Sequence, residues 1–177
     1  RSVIKLTDVE LAPGINVGTG ADGNITVNSN INIATTNLIA NRNCIDGGDA
    51  VSYNVVSFNA AGTEATLSTT PSYSVGNPSI SCLYPGDEVL IINLQGTSTA
   101  YSNVGNYETL RIESINSNVI TFKTAKTRYY GNGSSDDSNL GTTAGKQRVI
   151  LQRVPNYTDV VVSSGANLTV SNWDGAK

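Results

Sequence analysis

The sequence predicts an all-β fold, an antiparallel sandwich or an irregular barrel, and three observations predict it. First, residues 109–123 read as a hairpin. Leu110 and Ile112 alternate with Thr109, Arg111 and Glu113, then Ile120 and Phe122 alternate with Thr121 and Lys123, with Asn116-Ser117-Asn118 between them. Successive side chains on a strand point to opposite faces, so period-two alternation across a short Asn-rich connector marks paired strands. Second, about ten short apolar runs are separated by turn residues at the spacing of sandwiches and barrels. Third, no long window keeps apolar residues at helical spacing without Gly, Pro or β-branched interruption. Only a short helical turn is expected, at residues 36–41.

Taken in order, residues 2–6 (SVIKL) form a short first strand and 12–23 (APGINVGTGADG) a loop dense in turn residues. Residues 24–34 (NITVNSNINIA) alternate as one long strand or two short ones, and CIDGGD at 44–49 is a tight turn. Residues 51–58 (VSYNVVSF) and 64–70 (EATLSTT) make a second hairpin, followed by an irregular excursion over 71–82. The runs Val89-Leu90-Ile91-Ile92 and Val149-Ile150-Leu151 are apolar on both faces, which marks central strands covered on both sides. Residues 128–145 (RYYGNGSSDDSNLGTTAG) are too rich in Gly, Ser, Asn and Asp to build a core and read as a long exposed loop. Short strands at 159–163 and 167–170 close the chain. The expected division is a sandwich or barrel domain over 1–154 and a C-terminal strand segment over 155–177.

Composition narrows the function. Only 14% of the 177 residues are charged, while Gly, Ser, Thr and Asn are abundant, a balance typical of extracellular β-proteins rather than cytosolic enzymes. The chain has no His, which removes His-based triads, imidazole metal sites and the usual proton shuttle near neutral pH. No apolar stretch approaches the ~20 residues of a membrane span. The net charge of −3 is unevenly spread, with acids dominating residues 1–110 and cations residues 111–153. Those cations lack clustering and interleaved aromatics, so nucleic-acid binding is not expected, and the polarity fits head-to-tail self-association. Cys44 and Cys82 allow one intramolecular disulfide, closing a loop of 38 residues and worth roughly 3–4 kcal/mol. The alternative is two buried thiols.

Without His, paired carboxylates are the remaining catalytic kit: Asp46 and Asp49, Asp87 and Glu88, Asp136 and Asp137. Glycosidases need two carboxylates about 5–10 Å apart across a cleft, and no pair here has that spacing, so no enzyme and no catalytic residue is predicted. Asp136, Asp137 and Asn139 form a candidate Ca²⁺ ligand set, with Asp46 and Asp49 as a second, because Ca²⁺ is held by clustered oxygens. Ca²⁺ is the one candidate cofactor; the other reading makes these residues turn formers. Tyr129 and Tyr130 are the candidate ligand-binding pair, flat rings on which a sugar could stack, with Tyr101, Tyr107 and Trp173 behind them. Alternatively the tyrosines plug the rims of the fold. Lys5 and Asn93 are polar residues inside apolar runs. Buried beside an acid, such a pair can condense to an isopeptide crosslink; otherwise both face solvent. Asn24, Asn132, Asn156 and Asn167 each open an N-x-Ser/Thr triplet, as chance provides in so Asn-rich a chain. Val3, Ile4 and Leu6, on a terminal strand before a Gly-rich hinge, are candidate assembly residues for strand exchange between subunits, against pairing within their own domain.

The tail VPNYTDVVVSSGANLTVSNWDGAK, with GDEVLIINLQG, NVGNYETLRIESI and YYGNGSSDDSNLGT before it, resembles the head segment of large secreted bacterial surface proteins of adhesin type. In that family such a β-domain precedes a long β-solenoid. The resemblance covers residues 85–177 best. It implies that YTDVVVSSGANLTVSNWDG is the first solenoid rung, so that the C-terminal strands are solenoid-like, and it carries over no catalytic residue. The expected function is a non-catalytic, secreted or cell-surface structural or adhesive protein. It would self-associate through strand edges as a surface or fibre subunit, with other copies or neighbouring surface-protein domains as partners. The alternative is a carbohydrate-binding module of a secreted protein, with glycans as ligands.

Overall fold

Residues 18–175 are described by a computed structural model, and every regular element among them is a strand apart from one short 3₁₀ turn at Pro78–Ile80. The turn falls there, rather than at 36–41, because Pro78 pre-sets a helical φ and the Asn77 side chain accepts from the Ser79 N–H. Residues 24–34 resolve into two short strands, β1 (Gly23–Val27) and β2 (Ile31–Asn32). There follow β3 (Ser52–Phe58), β4 (Glu64–Leu67), β5 (Glu88–Gln95), β6 (Tyr107–Asn116), β7 (Val119–Phe122), β8 (Arg148–Val154), β9 (Tyr157–Val162) and β10 (Leu168–Thr169).

Strands β3 to β8 close a barrel of order β3-β4-β7-β6-β5-β8, every pair antiparallel. Closure leaves these strands no free edge. The expected hairpin is β6–β7, turned at Ser117-Asn118, with Ser117 at φ 55°. Alternation sends Val55, Leu67, Ile91, Ile112, Phe122 and Leu151 inward, all essentially without exposure. Burying each side chain of this size contributes about 1.5–3 kcal/mol. On β5 and β8 several outward residues are also apolar. Leu90 and Ile92 are half-buried and Ile150 is 5% exposed, because the segment after β10 crosses that face of the barrel.

The remaining four strands pair outside the barrel. β1 pairs in parallel with β9, and β2 in parallel with β10. Ile25 aligns with Val160, Val27 with Val162, and Ile31 with Leu168, so like residues stack in columns. Asn167 Nδ2 donates to Asn30 Oδ1 at 2.8 Å, and Ser163 Oγ to Asn28 Oδ1 at 2.7 Å, as in the side-chain ladders of stacked parallel strands. These are two successive rungs of a parallel β-stack, and the barrel is inserted between them. β1 and β2, which precede the barrel in sequence, thus pair with β9 and β10, which follow it.

Arg153 joins the two parts. Its Nη2 donates to Asp22 Oδ1 at 2.6 Å beside β1, and its Nη1 donates to the Asp49 carbonyl at 3.2 Å. Its Nε lies 3.2 Å from Asp87 Oδ2, an ionic contact off the line of a hydrogen bond. Burial works against the guanidinium charge, but the two carboxylates outweigh it and hold the group firmly protonated. The disulfide forms, Cys44 to Cys82, with both residues buried. Among the described residues no helix is long and apolar enough to cross a membrane.

Candidate functional site

The predicted site residues scatter, and the physical reasons differ. Tyr130 does not face outward: it is wholly buried, stacked at 5.5 Å on Phe58, and its hydroxyl donates to Glu108 Oε1 at 2.8 Å. Neighbouring residues in an extended segment point opposite ways, so of Tyr129 and Tyr130 only one could be exposed. Tyr129 is 44% exposed, and Lys126 Nζ sits 4.9 Å from its ring centre.

Asp136, Asp137 and Asn139 each have hydrogen-bond partners of their own. The Asp136 carboxylate accepts from the Ser138 N–H and hydroxyl and from the Gly133 N–H, contacts that hold its pKa below the usual carboxylate range. Asp137 pairs with Lys126 and accepts from the Tyr130 N–H, while the Asn139 amide donates to Asn132 Oδ1 and the Gly145 carbonyl. Asp49 caps Leu38 and Ile39 and accepts from the Tyr157 hydroxyl, and Asp46 accepts from Tyr53 and Ser72. Among the described residues no group of three or more acids or cysteines is placed to hold a metal ion. The carboxylates of Asp87 and Glu88 are committed to arginines: Asp87 to Arg42 and Arg153, Glu88 to Arg111. With Lys126 also paired, part of the predicted charge polarity is neutralised internally.

Asn93 faces inward, not to solvent. It is completely buried and donates to the Tyr130 carbonyl and to Gln147 Oε1, both at 2.9 Å. Gln147 in turn donates to the Ala100 carbonyl and Asn132 Oδ1, and Asn103 donates to the carbonyls of Gly131 and Gly133. Glu108 accepts from Thr127, Arg128 and Tyr130. Residues 128–145 form a loop, as expected, but one knitted onto the barrel: Tyr130, Gly131, Leu140 and Gly141 are buried, while residues 134–135 and 142–145 are exposed. Gly131 is required there: a Cβ would lie 2.2 Å from the Ser138 nitrogen. Glu108 and Gln147 gave no sign of this role, since each is one polar residue among many. Val3, Ile4, Lys5 and Leu6 lie outside the described residues.

Two surfaces remain uncommitted. One is the outer side of the second rung. Val160 and Val162 continue the columns of Ile25 and Val27, which are buried, yet are each 46% exposed. The other is a groove of about 490 Å³ between the outer face of β5 and β8 and residues 170–174, lined in part by Trp173. Of the predicted aromatic set, Trp173 lines this groove. The rung pair had a sequence signal in the repeated phrase Asn30-Ile31-Asn32-Ile33 and Asn167-Leu168-Thr169-Val170, whose first three positions align in the structure.

No family model matches the chain, and no curated protein matches it. Among solved structures it is similar to the tailspike protein gp49 from Pseudomonas phage LKA1, at TM-score 0.35 and 15% identity over 67% of this chain and 18% of that one. It is similar to the Pseudomonas phage phi297 tailspike gp61, at TM-score 0.34 and 18% identity over 87% and 23%. A third is the Gp54 tailspike of Acinetobacter baumannii bacteriophage AP22, solved with a capsular saccharide, at TM-score 0.32 and 13% identity over 84% and 28%. The chain spans less than a third of each of these proteins, and likenesses this slight carry no argument about its site.

Proposed function

We propose that this protein is a non-catalytic structural and adhesive module, secreted or held at a cell surface, which joins other copies of itself through the open edges of its parallel rungs. The observation that carries the reading is the exposed column: Val160 and Val162 stand on Ile25 and Val27 in register, half-exposed, with no further strand paired on them among the described residues. A parallel β-stack is stabilised by nearest-neighbour contacts, so a terminal rung offers both unpaired backbone groups and unburied apolar side chains. The Asn30–Asn167 step offers the same continuation for an amide ladder. Joining one copy's first rung to the next copy's second is a head-to-tail contact, which propagates rather than closes unless a rotation completes a ring. The buried disulfide and the charge-poor composition suit an oxidising, extracellular setting.

Sedimentation of the purified chain over a range of concentrations tests this. Association that grows with concentration is expected, and Val160→Lys combined with Val162→Lys should abolish it while leaving the melting temperature within a few degrees. A wild-type chain that stays monomeric throughout, or a double variant that associates as before, refutes the proposal.

A further inference from the structure

The groove against β5 and β8 has a chemistry of its own. Its floor is aliphatic, made by Leu90, Ile92 and Ile150. Its rim is polar, with Asp46 on one side and Asn172, Trp173 and Asp174 on the other. We propose that this groove binds a short neutral or cationic oligosaccharide, with Trp173 as the stacking surface and the rim carboxylates setting the charge it accepts.

Three observations support this occupant. A pyranose ring has an apolar C–H face and a hydroxyl-rich edge. The groove supplies a matching surface for each, and its volume lies within the ordinary range for small-molecule sites, about 300–1,000 Å³. Trp173 is 42% exposed beside the groove, leaving indole surface free for contact, the kind of large rigid side chain that dominates recognition. Finally, among the described residues the lining contains two carboxylates and no Lys or Arg. That favours amino sugars and neutral sugars and rejects uronic or sialic acids by like-charge repulsion. Asp46 is already fixed in orientation by the Tyr53 hydroxyl and by Ser72, so its charge is in place before a ligand arrives.

Trp173 is the chain's one tryptophan, so its fluorescence reports on this groove alone. The full chain is titrated with malto-oligosaccharides, N-acetylated chitin oligomers, cationic chitosan oligomers and acidic oligogalacturonates. A saturable fluorescence change is expected with at least one neutral or cationic series, and none with the oligogalacturonates at matched concentration. By calorimetry, Trp173→Ala should weaken that binding about tenfold or more and Trp173→Phe should retain part of it. Asp174→Asn should narrow the discrimination against the acidic oligomers. Circular dichroism and melting temperature establish that each variant is folded, and the sedimentation behaviour of Trp173→Ala separates this site from the rung edge. The proposal is overturned by a flat response to every neutral and cationic series, by a preference for the acidic oligomers, or by undiminished binding in folded Trp173→Ala.

Discussion

Tyr53, Tyr130 and Tyr157 are built alike: the first two are buried and the third half-buried, and each phenol donates to a carboxylate, Asp46, Glu108 and Asp49 respectively, at 2.7–2.8 Å. Burial first, then the carboxylate that each hydroxyl faces, pushes all three far above the usual phenol value of about 10. The folded-state pKa is the raised one, so the contribution of these groups to stability is complete below about pH 10 and is lost as pH rises beyond it, when the unfolded chain ionises and the folded one resists. Thermal melts should be level near neutrality and fall above about pH 10, with these three phenols ionising only on unfolding. A level melting temperature through pH 12, or eight tyrosines titrating together in the folded state, contradicts this. The sequence could show that a tyrosine lay near a carboxylate-rich turn, as with Tyr53 and CIDGGD. It could not show which acid would meet which phenol, because Glu108 and Tyr130 meet across 22 residues of chain.

At the scale of elements, alternation made β6 and β7 legible, and the doubly apolar runs fell on β5 and β8, which in a closed barrel are no more central than the other strands. Residue 93 shows where alternation stops informing. Its place in IINL assigns a side of the strand, but whether a polar residue on that side is exposed or satisfied depends on Tyr130 and Gln147, which local sequence does not connect to it. Asn93→Ala should leave the Gln147 Oε1 and the Tyr130 carbonyl each short of a buried donor and cost about 1–3 kcal/mol. Limited proteolysis should then cut earlier within residues 128–145, the segment this amide anchors. Unchanged stability and an unchanged digestion pattern would show that the segment holds without it. The parallel rungs were harder to see than the barrel for a related reason. Partners such as Ile25 and Val160 are separated by the whole inserted barrel, so no window of sequence contains both.

For the whole molecule, the long connections are what need restraint. Residues 33–51 and 68–87 lie outside the strands, and the Cys44–Cys82 bridge ties one to the other across 38 positions. In the chain-entropy picture that crosslink contributes roughly 3–4 kcal/mol by restricting the unfolded chain. Replacing both cysteines by serine should lower the unfolding free energy in urea by about that amount. A difference below about 1 kcal/mol would refute the chain-entropy account of this crosslink.

The insertion of the barrel between two parallel rungs also decides how the molecule carries tension. β1 is drawn from its N-terminal end and β9 from its C-terminal side, and since the two run in the same direction a pull on the chain slides one along the other instead of peeling them apart. Every hydrogen bond of the pair is then loaded at once, while the six-stranded barrel between them feels no force until the pair gives way. The rungs act as a mechanical fuse, and the barrel is the slack held in reserve behind it.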